Sequence, residues 1–409
     1  MSLDARSPYP QDLRHGGVRA SARAFVDRVR TGDLGALPVV VGLVLIGAIF
    51  QVLNPTFLSS ANLVNLTMQS AAIGTMSIGI VLVLLVGGID LSVGSVSGLA
   101  GAILAVTFVQ FGWPLPLTLL AAVASGAVAG FCYGLLFTKF NVPAFVLTLA
   151  GLLAFLGVQL WVLGRVGSIN LPFESWIVQF GQQMFLPDYM SYILVALTVL
   201  AYGWQLVSEA RRREAAGLPA MSRVVIAGRV GGLAALLGFV AWYLNQSRGV
   251  GVMFLTFLVL VTLTHYALTR TRWGRAVYAV GGSVEAARRA GIRVDRIFIS
   301  VFVLCSTFAA IGGVMAAARL AAANQSSGGG DTNLTAIAAA VIGGASLFGG
   351  RGSAFSALLG VLVIMAISLG LTTLNLDSSV RYMVTGAVLV LAVVIDSISR
   401  RSRAAAGRA

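Results

Sequence analysis

From residue 36 onward the chain is a succession of apolar runs, each near the roughly 20 residues a helix needs to cross hydrocarbon. They are Ala36–Leu53, Ala71–Val86, Val93–Val109, Leu115–Phe137, Ala144–Leu163, Tyr189–Val207, Ile226–Leu244, Val252–Leu268, Phe298–Ala318, Ala354–Leu374 and Tyr382–Ile398. Inside a bilayer every backbone polar group must bond within the protein, so such runs predict transmembrane helices. The expected fold is all-α, a polytopic bundle of about 11–12 membrane passages with Gly-interrupted segments. The count is open by one because Leu334–Ile342 runs into Gly343 and Gly344, and reads equally as a span or a re-entrant half-helix.

Composition supports a lipid-facing surface. The chain is 58% hydrophobic and only 10% charged, against about 25% charged for a soluble domain. Its net charge of +14 invites a nucleic-acid partner, but the basic residues sit in short stretches between apolar runs. Nucleic-acid binders gather them on a folded polar face, so that class is set aside. Cys132 and Cys305 lie within apolar runs, which argues against a disulfide framework. The first apolar run follows a polar, Arg-rich stretch, so no cleavable signal peptide is expected.

Basic residues also orient the chain. With the N-terminus in the cytoplasm and Leu334–Ile342 crossing, 24 of the 28 fall on the cytoplasmic side. Arg165, Arg248, Arg319 and Arg381 remain outside. Both termini are therefore expected in the cytoplasm of an inner-membrane protein. The organisation is a tail at 1–35, a transmembrane domain at 36–398 and a second tail at 399–409.

Acids are rarer and more telling. Between Asp33 and Glu174 the sole acid is Asp90, in Gly87-Gly88-Ile89-Asp90-Leu91-Ser92-Val93-Gly94-Ser95. A carboxylate at membrane depth costs a few kcal/mol or more on insertion scales. The glycines let the backbone leave the helix, which lipid tolerates only where the freed groups face protein or water. Asp90 or Ser92 can cap the helix that begins near Val93. The same break can line a polar pathway, and the two roles are compatible.

An echo of this segment follows the short run: Ile342-Gly343-Gly344-Ala345-Ser346-Leu347-Phe348-Gly349-Gly350. Paired Gly-interrupted segments point to a transport site in broken helices. The second copy lacks the acid, so the two cannot be chemically equivalent. The candidate pathway residues are Gly87, Gly88, Asp90, Ser92, Gly94 and Ser95 with Gly343, Gly344 and Ser346.

A polar stretch from Thr269 to Ile297 contains a short helix signal. Ser283 suits an N-cap, Glu285 the positive end, and Arg288 and Arg289 the other end. Gly291 can end the helix in a left-handed turn. Two turns are too short to stand alone in water, so this is either an interfacial loop helix or a docking helix for a cytoplasmic partner. The docking candidates are Ser283, Glu285, Ala286, Arg288, Arg289 and Gly291. A third segment, Asn141-Val142-Pro143-Ala144-Phe145-Val146-Leu147-Thr148-Leu149-Ala150, reads as a helix start behind Pro143.

Several machines are missing from the sequence. The single lysine, Lys139, follows Thr138 rather than preceding Ser or Thr in a P-loop, so no nucleotide site is expected. Only Asp90 and His265 could serve ion coupling, and a lone histidine near a helix end is usually interfacial. No Cys/His cluster suggests a metal, and no Ser/His/Asp set can be assembled. The chain is expected to be no enzyme and to bind no cofactor.

The four motifs at 87–95, 141–150, 281–292 and 341–353 resemble those of permease subunits of bacterial sugar ABC importers, of the ribose/xylose/arabinose type. The resemblance covers roughly residues 55–395. The stretch 164–245, with two candidate spans joined by Arg211–Arg213, resembles an inserted helix pair and points to the xylose branch. The resemblance implies a homodimeric permease, a cytoplasmic ATP-binding subunit using ATP and Mg, and an extracytoplasmic sugar-binding protein. It places 87–95 on the pathway and the helix at 283–291, within a loop at 269–297, against the ATPase. The rival readings are an ion-coupled secondary transporter, which collapse of uptake with the ion gradient would favour, and a membrane-embedded enzyme, which would need more polar residues at depth.

Overall fold

The computed structural model describes residues 37–218 and 220–377, with isolated positions between 379 and 394. The tails at 1–35 and 399–409, and most of the run Tyr382–Ile398, lie outside the described residues. Among the described residues, nine helices are long and apolar enough to cross a membrane, and two shorter apolar helices accompany them. The chain is an all-α polytopic bundle, with one small β ribbon.

The first helices are α1 (Leu37–Leu53) and α2 (Ser60–Leu85). Helix α2 begins well before the expected Ala71. Asn62, Thr67, Gln69 and Ser70 lower the hydropathy there without breaking the helix, because the hydroxyls bond back onto it. Thr67 Oγ1 donates to the Val64 carbonyl at 2.8 Å and Ser70 Oγ to the Leu66 carbonyl at 2.7 Å. Helix α3 (Val93–Ala105) continues through a π turn at Val106–Gln110. Helices α4 (Leu115–Phe140) and α5 (Ala144–Leu163) each start directly behind a proline, Pro114 and Pro143, whose missing amide costs nothing there.

Strand β1 (Ser168–Asn170) pairs antiparallel with β2 (Ala322–Asn324), Ile169 opposite Ala323. Between them in sequence come the short α6 (Trp176–Gln182), then α7 (Asp188–Ala215), α8 (Arg223–Asn245), α9 (Val252–Arg270), α10 (Arg272–Gly282), α11 (Val284–Arg289) and α12 (Val294–Leu320). Helices α13 (Gly330–Ile342) and α14 (Ala354–Thr373) follow β2.

The core is built by close backbone approach. Gly126, Gly130 and Gly134 form a stripe on α4, and a methyl on any of them would collide with α12 at Ser306, Phe302 or Ile299. On another face of α12, Gly79 of α2 presses the Cys305 backbone, where a methyl would lie 2.7 Å from its carbonyl oxygen. Small residues of this kind let membrane helices pack where no hydrophobic force drives them together. Helices α2, α3 and α12 are buried nearly all round, whereas α4 and α5 leave Leu120, Val128, Leu153 and Trp161 exposed.

Helices α7 and α8 pair within a compact unit at 186–250. Its base is tied by Leu186 N–H to the Val250 carbonyl at 2.8 Å. Helix α7 runs past the expected Val207 because arginine is a good helix former, and Arg213 pairs with Glu209 at 3.0 Å. Leu197, Leu200, Trp204, Leu236 and Phe239 are exposed, as suits a hairpin in lipid.

Helix α13 contains the run 334–342. Its 13 residues rise about 20 Å, short of the roughly 30 Å hydrocarbon core. It stops at the glycines, with Gly344 at φ +98°.

Candidate functional site

The first glycine break begins where α2 ends. Gly87 turns left-handed at φ +77°, and Gly88 N–H closes the helix end on the Val83 carbonyl at 3.0 Å. Just beyond, Asp90 is enclosed, with 1% of its surface exposed. Its Oδ1 accepts from Ser92 twice, from the backbone N–H at 2.8 Å and from the hydroxyl at 2.7 Å. The Cys305 thiol of α12 donates to Oδ2 at 3.5 Å.

This arrangement corrects the capping expectation. Ser92 stands at the N-cap of α3, but its backbone is already near-helical (φ −99°, ψ −4°), whereas a capping side chain needs extended backbone to reach the next amides. Its hydroxyl therefore turns back to Asp90, and neither side chain caps the first turn. Ser95 Oγ donates to the Ser92 carbonyl at 2.9 Å, and Gly94 lies so near 328–333 that a methyl would meet the Gly328 carbonyl at 2.7 Å. Ser92, Gly94 and Ser95 are all buried.

Thr148 of α5 holds the middle of this break. Its hydroxyl accepts from Leu91 N–H at 3.1 Å and lies 3.3 Å from the Ile89 carbonyl. The segments 87–95 and 141–150, distant in sequence, thus form one structure.

The second break follows α13. Gly343 sits against α14 so closely that a methyl would strike the Ser356 carbonyl. Ser346 is buried; its N–H donates to the Arg351 carbonyl at 2.9 Å and its hydroxyl accepts from Phe348 N–H at 3.3 Å. The partners of Ser346 and those of Asp90 are different, so the two breaks are chemically unlike, as the missing acid implies. They nevertheless touch: Gly350 N–H donates to the Leu85 carbonyl at 2.8 Å.

Helix α10 joins the same place. Tyr278 donates its hydroxyl to the Gly352 carbonyl at 2.9 Å. Burial pushes this phenol above its ordinary range, so the donor stays protonated through neutral pH. Next comes α11, with the local geometry its sequence signals: Ser283 Oγ accepts from Ala286 N–H at 3.2 Å. At the other end Gly291 is left-handed at φ +80°, and Ile292 N–H reaches the Ala287 carbonyl at 3.1 Å. Ala287 is buried, while Glu285, Arg288 and Arg289 reach outward.

The structure therefore gathers the first break, the second break and the approach to α11 at one locus. Sequence reasoning passes over Thr148, Tyr278, Gly281 and Cys305; the only signal for the first three is their place inside or beside the motifs. His265 packs its ring on Phe355 with centroids 4.9 Å apart. Among the described residues no group of three His, Cys, Asp or Glu side chains could hold a metal ion.

Residues 62–212 and 214–393 match the family described as branched-chain amino acid transport system / permease component. The chain is 37% identical over 346 residues to the Xylose transport system permease protein XylH of Escherichia coli, covering 84% of this chain and 87% of that protein. With the protein of the same name from Haemophilus influenzae it shares 33% over 375 residues, 91% of this chain and 99% of the relative. The Ribose import permease protein RbsC of Escherichia coli is 30% identical over 357 residues, 87% and 92% of the two chains. No solved structure matches the chain.

Proposed function

The chain belongs to the branched-chain amino acid transport system / permease component family, and from that premise we propose that it is the membrane subunit of an ATP-binding-cassette importer of a monosaccharide, D-xylose foremost. The observation that carries the sugar is the identity of 37% across 84% of the chain with a permease named for xylose. The family description names amino acids, so the solute follows the relatives.

In this reading the energy comes from ATP and Mg held by a separate cytoplasmic ATP-binding subunit. An extracytoplasmic sugar-binding protein delivers the solute, and two copies of this chain flank the passage. Gly87, Gly88, Asp90, Ser92, Gly94 and Ser95, with Gly343, Gly344 and Ser346, line the route when the helices around the breaks switch between outward and inward states. Ser283, Glu285, Ala286, Arg288, Arg289 and the turn at Gly291 dock the ATPase. The arginine distribution supports a cytoplasmic position for α11 and for both termini. Specificity resides mainly in the binding protein, in keeping with few polar groups at depth.

Uptake of labelled xylose, ribose and arabinose in cells lacking the chain, with and without its restoration, tests this. Loss of xylose uptake with ATP-dependent recovery supports it. Uptake that fails when the proton or sodium gradient collapses while ATP stays high would replace it with an ion-coupled carrier.

A further inference from the structure

Resting on the reading that α11 docks an ATPase, we infer that the end of α10 is the joint carrying motion of that helix to both glycine breaks, with Tyr278 and Gly281 as its positioning residues. Ser283 alone separates α10 from α11, so a displacement of α11 is delivered to Gly281 through a very short length of chain.

At Gly281 the packing is backbone against backbone. A methyl there would strike the Leu85 carbonyl and lie 2.7 Å from the Gly350 nitrogen. Seen from the other side, a methyl on Gly349 would meet the Gly281 carbonyl at 2.9 Å and the Gly87 nitrogen at 3.1 Å. The end of α2, both breaks and α10 therefore nest with no side chain between them to absorb a shift. Close-packed contacts of this kind transmit displacement. Tyr278 adds a directional tie, its hydroxyl on the Gly352 carbonyl at 2.9 Å. The far end of α10 is pinned to α12 by Trp273, whose Nε1–H donates to Ser300 Oγ at 2.8 Å. Helix α10 is thus a lever held at Trp273 and bearing on the breaks at Tyr278 and Gly281. The adjacent Gly282 takes no part, since a methyl added to it would meet nothing within 4 Å.

The test uses the whole transporter in proteoliposomes, this chain with its ATP-binding subunit and xylose-loaded binding protein, reading sugar moved per ATP hydrolysed and retention of the ATPase. Tyr278→Phe, which removes one hydroxyl, is expected to keep the ATPase bound and its basal turnover intact, while sugar per ATP falls roughly threefold to tenfold, the equivalent of one hydrogen bond. Gly281→Ala is expected to do the same more severely, and Gly282→Ala to match wild type. Unchanged sugar per ATP in both Tyr278→Phe and Gly281→Ala would overturn the joint while leaving the transport reading in place. Loss of the ATPase from Tyr278→Phe would also overturn it, making Tyr278 part of the docking surface. A wild-type complex that moves no sugar with ATP would remove the transport reading and the joint with it.

Discussion

Leu85 and Gly350 are far apart in sequence, yet the carbonyl that ends α2 receives the amide of the second glycine break at 2.8 Å. That bond satisfies a helix-end carbonyl at a buried residue that would otherwise be orphaned, and Gly350 makes it while holding φ +71°. Two breaks that resemble each other in sequence are thereby parts of one joint rather than two copies of one site.

Gly350→Ala places an L side chain in the left-handed region and should cost about 1–2 kcal/mol. Gly228→Ala, in α8 with open space around it, should instead stabilise by about 0.5–1 kcal/mol through helix propensity. Thermal unfolding in detergent should move in opposite directions for the two.

Thr148→Val leaves the Leu91 amide without its partner and is expected to destabilise by about 1–3 kcal/mol. Thr148→Ser restores the hydroxyl and should recover most of that loss. Equal unfolding temperatures for wild type and Thr148→Val would show that the clamp contributes nothing.

Asp90→Ala removes the acceptor for both Ser92 donors and for the Cys305 thiol. A loss of about 1–3 kcal/mol is expected for the unpaired buried groups. Asp90→Asn keeps an oxygen toward Ser92 and should fall between Asp90→Ala and wild type, measured as the fraction of protein recovered folded after mild heating.

Ser283→Ala deletes the cap of α11 at a cost of about 1 kcal/mol, and Gly291→Ala strains its end by about 1–2 kcal/mol. Either should weaken recovery of the ATP-binding subunit on purification while leaving membrane insertion intact. Full recovery in the double variant would separate α11 from docking.

The features legible in the sequence are local ones. The cap at Ser283 and the turn at Gly291 depend on near neighbours in the chain, and both are present in α11. Apolar run lengths locate most spans, but the start of α2 at Ser60 is hidden because hydropathy does not see hydroxyls bonding back to their own helix. The surroundings of Asp90 are not readable, since Cys305 lies on a distant helix and its approach depends on Gly79 packing against it. Ser92 has the residue type of a cap, but its backbone angles decide where the hydroxyl points.

On the proposed reading this chain is the passage, and a separate polypeptide supplies the energy. The most direct check is reconstitution into proteoliposomes, with labelled xylose measured inside and outside, with and without the ATP-binding subunit and the sugar-binding protein. Accumulation is expected only with all components and ATP, undiminished by ionophores. Accumulation by this chain alone, driven by a proton or sodium gradient, would contradict it.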